Sequence, residues 1–247
     1  IVIRYQILLE YEGTQFNGWQ IQKSGNSVQK KVQLVLSKLL RKRIKIYGAG
    51  RTDKGVHSLE QSAHFDIQEK IINIPNLIKS LNFFLNKKQI SILKIKKKNL
   101  NFHARYSAKK RTYKYLIRNN LSPSVINKNR EWHIINILDI EILRKGAKKF
   151  VGTHDFSTFR ASNCNAKSPI RTIYKVKVTK NKSSIEIKFV SKSFLKSQIR
   201  SMVGCLKYLA EKKWTLKKFI RVFKSKNRSN CAPLAPPCGL YLEKITY

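Results

Sequence analysis

Tyr47-Gly48-Ala49-Gly50-Arg51-Thr52-Asp53-Lys54-Gly55-Val56-His57 holds three glycines within eight residues, which marks backbone that bends sharply or lies close against a ligand. Inside that bend stands one carboxylate, Asp53, between the basic side chains of Arg51 and Lys54. Neighbouring cations favour the ionised carboxylate, the form a nucleophile requires. A carboxylate in such a turn also caps backbone amides, so the bend alone leaves a catalyst and a structural cap both open. Simpler motif readings fail. Gly50 and Gly55 have the spacing of a phosphate-binding loop, but Val56-His57 stands where Lys and Ser or Thr are needed. Gly48-x-Gly50 lacks the third glycine of a dinucleotide fingerprint, because Asp53 occupies that slot. His57 and His64, with Asp53 and Asp66 nearby, make a poor metal set, since they straddle a loop and a strand rather than one helical face.

Outward from the bend, the 247-residue chain carries 52 Lys and Arg against 13 Asp and Glu, a formal net charge of +39. Such a surface attracts polyanions, of which nucleic acid is the commonest, although over-use of Lys, Ile and Asn in an AT-rich genome would raise the same count. Hydrophobic residues at 42% and aromatics at 10% allow a real core. Cys164, Cys205, Cys231 and Cys238 form no C-x-x-C pair, so neither zinc nor a disulfide framework is expected, and reduced thiols are the default. No apolar run approaches a membrane span and no signal peptide opens the chain. Met202 is the single methionine, so Ile1 is not read as an initiator and residues ahead of it are expected.

Periodicity predicts a strand over 3–9, with Ile3, Tyr5, Ile7 and Leu9 on one face, then a loop over 12–20. Ser27 is expected to cap a helix carrying Val28, Val32, Val35, Leu36 and Leu39. A short strand over 44–47 enters the glycine bend, and 62–66 is extended. Pro75 opens a second helix, 90–95 is a strand, and Lys96 to Lys98 reads as a solvated charge run. Beyond Phe102 the rhythm restarts: a strand over 112–118, and a helix capped by Asp139 and stopping near Gly152. Strands at 172–179 and 184–190 flank an Asn-Lys-Ser turn. A long amphipathic helix bearing Leu195 to Leu209 follows, then a helix over 215–224, an irregular loop over 227–237 and a closing strand over 240–247. Both halves mix strands with helices, which predicts an α+β fold.

Gly48-Ala49-Gly50-Arg51-Thr52-Asp53-x-Gly55-Val56-His57, followed by Gln61-x-Ala63-His64-Phe65, resembles the signature of the tRNA pseudouridine synthase A family. The resemblance runs along nearly the whole chain, through Tyr11-Glu12-Gly13-Thr14 with Phe16-x-Gly18-Trp19-Gln20, Phe102 to Ala108, and Arg111-x-Tyr113-x-Tyr115. It continues through His154-Asp155-Phe156-x-x-Phe159, Phe194 to Gly204, and Gly239 to Leu242. It implies two halves resembling RNA-recognition motifs (ferredoxin-like), over 1–106 and 107–247, with their sheets side by side and the active cleft between them. It implies a reaction without cofactor or metal, in which the uracil glycosidic bond breaks, the base turns and rejoins the ribose through carbon 5.

On that resemblance Asp53 is the essential carboxylate, attacking either the ribose or the pyrimidine; Tyr113 packs on the uracil and serves as a base; and Arg200 pairs with the aspartate. The helical pattern places Arg200 on the flank of its apolar stripe with Gly204 a turn later, although a solvated base would fit that position as well. Arg51 matches the residue that fills the gap left by a flipped-out nucleotide, a role suited to a planar guanidinium. His103, Arg105, the loop Asn163-Cys164-Asn165-Ala166-Lys167 and Leu240 match substrate-contacting positions, whereas Phe156 and Phe159 read as core. Lys54 stands where the family has a small residue, and Glu60 where it has glycine. The implied substrate is tRNA, at positions 38, 39 and 40 of the anticodon stem-loop, acted on by a cytoplasmic homodimer that needs no membrane. A non-catalytic basic RNA-binding protein shares the charge but has no use for Asp53, Tyr113 and Arg200. A metal-dependent nuclease would need clustered acids or histidines, and the 13 acids are scattered.

Overall fold

β1 (Ile3–Tyr11) buries Tyr5, Ile7 and Leu9 on the face that alternation predicts. It leads to α1 (Val28–Leu39), whose first turn is capped by the Ser27 hydroxyl accepting from the Lys30 amide. Next come β2 (Tyr47–Gly48), β3 (His57–Ile67), α2 (Ile74–Leu85) and β4 (Ile90–Lys98). Asn73, just ahead of Pro75, caps α2 by accepting from the Asn76 amide. β1 pairs antiparallel with β4 on one side and β3 on the other, and β2 pairs antiparallel with β3. This βαββαβ order is that of an RNA-recognition-motif-like half. Val28, Val32 and Leu36 of α1 and Leu77, Leu81 and Leu85 of α2 join the sheet residues in one core. The structure is a computed structural model and describes residues 1–23 and 25–247.

Ile44 and Ile46 are buried as a strand would bury them, yet only Tyr47–Gly48 pairs as strand. Helix side chains satisfy this backbone instead: the Ile44 amide donates to Ser37 Oγ and the Ile46 amide to Gln33 Oε1, while the Ile46 carbonyl accepts from Gln29 Nε2. Lys96 to Lys98 is not a loop; the three lysines extend β4 opposite Gln6, Tyr5 and Arg4. Pairing with β1 is a backbone matter, so a run of charged side chains does not stop it.

The second unit, Lys110–Leu240, opens with β5 (Lys110–Asn119), beside which β6 (Trp132–Ile134) runs parallel. It continues through α3 (Ile140–Lys148), β7 (Gly152–Asp155), β8 (Ile170–Asn181), β9 (Ser184–Ser191), α4 (Gln198–Ala210) and α5 (Leu216–Lys224). β5 pairs with β9, β9 with β8 and β8 with β7, all antiparallel. Asp139 caps α3, accepting from the Ile142 amide, but the helix ends at Lys148, and Gly152 at φ 111° opens β7 instead of stopping a helix. Leu195 lies ahead of α4, and the 227–237 stretch contains the 3₁₀ turn Arg228–Asn230. Phe156 and Phe159 are fully buried around Phe150, together with Phe219 and Phe223 of α5. The closing strand, β10 (Leu240–Thr246), sends Tyr241–Tyr247 into the first unit, Ile1–Lys109, where Tyr241 lies opposite His57 and Leu242 opposite Ser58 in parallel register. The chain is an α+β protein.

Candidate active site

The Gly48–Val56 bend is held on two sides. From β3, the Ser62 carbonyl accepts the Ala49 amide at 2.8 Å, and Gln61 Nε2 donates to the Gly50 carbonyl at 2.9 Å. From the 11–19 segment, Trp19 donates its amide to the Thr52 carbonyl at 3.3 Å and the Phe16 carbonyl accepts from Gly55 N at 3.2 Å. The Tyr11 and Thr52 hydroxyls share a buried hydrogen bond of 2.9 Å. Asp53 sits in the middle, its carbonyl accepting the Val56 amide at 3.1 Å to close the turn. Thr52 is buried on one side of it, whereas the Asp53 side chain is half-buried and Arg51 and Lys54 are exposed. Arg51 is exposed, and among the described residues no hydrogen bond or ion pair is seen on its guanidinium. The two histidines of the region serve the backbone: His57 Nδ1 accepts from Gly13 N at 2.8 Å, and His64 Nδ1 accepts from Ala104 N at 3.2 Å. Among the described residues no His, Cys, Asp and Glu group is arranged to hold a metal ion.

The sequence reads 12–20 as a loop that resembles the family's opening segment; in the fold this stretch clamps the Asp53 bend. Gly18 shows why. At φ 98° it adopts a conformation that L side chains rarely take, and a Cβ there would lie 2.3 Å from the Thr52 carbonyl oxygen. Gly18→Ala is expected to cost about 1–3 kcal/mol of stability and to lower turnover further than that loss of folded protein accounts for, because Thr52 and Asp53 must shift. Urea unfolding alongside turnover checks this; unchanged turnover in a folded variant would show that the clamp does not set the position of Asp53.

In the second unit, Tyr113 stands on β5 opposite Phe189, only 8% exposed, with the Phe194 ring edge-on at 5.3 Å. Arg200 occupies the first turn of α4, and its Nε donates to the Ala235 carbonyl at 2.7 Å while the Ala235 amide returns a bond to the Arg200 carbonyl at 3.2 Å. This reciprocal pair needs the 231–236 loop flat against α4. Gly204 permits it, since a Cβ there would lie 2.2 Å from the Pro233 carbonyl oxygen. The glycine therefore makes room for a loop that holds the arginine. The Asn163–Lys167 loop is tied down by Arg160, whose Nη2 donates to the carbonyls of Cys164 at 2.6 Å and Ala166 at 2.8 Å. Asn163, Asn165 and Lys167 are left exposed while Cys164 and Ala166 turn inward. Leu240 is buried at the head of β10. Ala235 and Arg160 went unnoticed in the sequence because carbonyl–guanidinium bonds leave no residue pattern.

His103 and Arg105 lie on the first unit, in a stretch that Arg4 fastens to the sheet. Its guanidinium grips Asp66 through Nε and Nη2, both at 2.7 Å, and Nη1 donates to the carbonyls of Leu100 and Phe102. That pairing holds the Asp66 carboxyl below its usual range. His103 Nδ1 accepts from the amides of Arg105 at 3.1 Å and Tyr106 at 3.4 Å. Burial, then the charges of Arg4 and Arg105, lower its pKa. His64 is pushed down to about 4, first by burial and then by His103 and Arg4, with Asp66 opposing. The unfolded chain therefore binds a proton on residue 64 near pH 6.5 that the folded chain refuses until about pH 4. Stability from this site is complete above pH 6.5 and is lost as the pH falls toward 4. His64→Gln is expected to flatten the thermal midpoint against pH across that window; a profile parallel to that of the unaltered protein would remove His64 from this role.

A family profile described as tRNA pseudouridine synthase matches residues 7–107 and 147–247. The tRNA pseudouridine synthase A of Pelagibacter ubique is 58% identical over 246 residues, spanning 100% of both chains. That of Neorickettsia sennetsu is 42% identical over 99% of this chain and 100% of its own length, and that of Parvibaculum lavamentivorans 38% identical over 99% of each. With a profile over both halves and full-length relatives well above the identity at which folds diverge, the chain belongs to the tRNA pseudouridine synthase A family of isomerases.

Proposed function

We propose that the protein isomerises uridine to pseudouridine at positions 38, 39 and 40 in the anticodon stem-loop of tRNA, with Asp53 as the essential carboxylate. The observation that carries this reading is a half-buried carboxylate in a bend clamped on both sides, next to a guanidinium left without a partner. Catalysis is differential stabilisation of the transition state, and a nucleophile on a rigid bend loses little entropy in meeting its target. A uridine in a stem is out of reach until extruded, at about a few kcal/mol, and the planar, exposed guanidinium of Arg51 suits the space it vacates.

Tyr113 and Arg200 act on the same uridine in this reading: Tyr113 packs on the uracil and takes a proton from it, and Arg200 pairs with Asp53. The N-terminal half, 1–106, supplies the carboxylate, and the C-terminal half, 107–247, the tyrosine and arginine. His103, Arg105, the Asn163–Lys167 loop and Leu240 contact the RNA. The carboxylate adds to ribose or to pyrimidine, the N1–C1′ bond breaks, carbon 5 bonds to C1′ and the carboxylate is released, while the proton lost from carbon 5 is balanced by protonation of N1, with no cofactor taking part. The enzyme works in the cytoplasm as a homodimer. Incubation with unmodified tRNA transcripts, followed by carbodiimide mapping, is expected to show pseudouridine at positions 38 to 40. Marks elsewhere would overturn the anticodon assignment, and no marks at all would overturn the activity.

A further inference from the structure

A row of four rings lies on the first unit. Tyr47 stacks on His64 with centroids 5.2 Å apart and planes 22° from parallel. His64 meets His103 at 4.6 Å, and His103 meets Tyr106 at 4.4 Å. The two ends of the row are open: Tyr47 is 48% exposed and Tyr106 74%. The inner pair is uncharged on geometric grounds, because His64 Nδ1 and His103 Nδ1 both accept backbone amides and so carry no proton. Two imidazolium ions at this separation, beside Arg4, would repel; two neutral rings pack. Tyr247 braces the row: its hydroxyl donates to the Ala104 carbonyl at 2.9 Å and shares a hydrogen bond of 2.7 Å with the Ser62 hydroxyl. The Arg105 guanidinium lies 5.5 Å from the centroid of the Tyr106 ring.

Exposed tyrosines serve no core, and these two flank a pair of neutral imidazoles with the Arg105 cation against Tyr106. Rigid aromatic faces beside fixed positive charge are what unpaired nucleobases bind, since every base has a π-face and a phosphate beside it. The row also begins at Tyr47, in the short strand that leads directly into the Arg51–Asp53 bend. We infer that the open faces of Tyr47 and Tyr106 stack on unpaired bases of the bound RNA, with His64 and His103 as their neutral backing. This rests on the reading of RNA as substrate and assigns binding energy to stacking rather than to charge alone.

The full-length protein is titrated with an unmodified tRNA transcript at several salt concentrations, and separately with heparin, a polyanion without bases. Tyr47→Ala and Tyr106→Ala are each expected to weaken tRNA binding roughly 5- to 100-fold, leaving the salt slope and heparin binding as they were. Tyr47→Phe and Tyr106→Phe, which keep the ring, are expected to restore binding. Thermal melts of each variant confirm folding, for which Tyr106 at 74% exposure leaves ample tolerance. Unchanged tRNA affinity in both alanine variants would overturn the inference. So would an equal loss toward heparin or a reduced salt slope, either of which would mean that the tyrosines only position Arg105. Pseudouridine formation by the unaltered protein is read separately, so a failure of stacking and a failure of the proposed activity give different results.

Discussion

Asp53→Asn is expected to bind tRNA with nearly unchanged affinity and to form no pseudouridine, a fall in turnover of at least about 10⁴-fold, the scale on which removal of a single essential reacting group acts. The substitution preserves shape and removes only the charge and the nucleophilic oxygen. Main-chain groups carry much of the clamp: the Asp53 backbone carbonyl closes the turn with Val56, and Thr52 and Gly55 carry the bonds to Trp19 and Phe16. A thermal melt of the variant beside that of the unaltered protein shows whether the bend stays formed, so that a loss of turnover in a folded variant belongs to chemistry. Single-turnover assays with excess enzyme, paired with filter binding, separate the two quantities. Detectable isomerisation at saturating enzyme would remove Asp53 from the reacting role and return it to the reading of a turn-capping residue.

The second large effect concerns salt. If the net charge of +39 faces phosphate, tRNA affinity is expected to fall by roughly 10³-fold or more between 50 and 200 mM monovalent salt, which corresponds to some 6–10 neutralised phosphates. The slope of log Kd against log salt counts those contacts. A shallow slope would mean that most lysines reflect composition alone and that affinity comes from shape and stacking. Charge-reversal at exposed Lys167 offers a local check, since its loop is held rigidly by Arg160 and the change should lower the slope by about one contact.

The α+β class, the capped starts of α1 and α3, and most of the pairing strands were legible because period-2 and period-3.6 burial is written directly into residue order. Three details were not. Ile44 and Ile46 have the burial of a strand without its pairing, because α1 side chains from Ser37, Gln33 and Gln29 reached their backbone first. Lys96 to Lys98 read as a solvated charge run, and Lys96 and Lys97 are exposed, but exposure of side chains does not decide whether a backbone pairs. The end of α3 was placed at Gly152, whose positive φ belongs instead to the entry of β7.

The same division holds at the site. Residue order alone determined that one acid sits in a glycine-framed bend among bases, and it singled out Tyr113 and Arg200 through resemblance to the family. The tertiary structure decided what holds these groups in place: Trp19 and Phe16 on the Asp53 bend, the Ala235 carbonyl on Arg200, and the carbonyls that Arg160 gathers. It also decided that His57 and His64 accept backbone amides. The physical reason is that a side chain's chemistry and its local conformational bias travel with its own residue, whereas hydrogen bonds to main-chain carbonyls and amides depend on which distant segment folding brings alongside. Any residue can supply those backbone groups, so the sequence carries no mark of them.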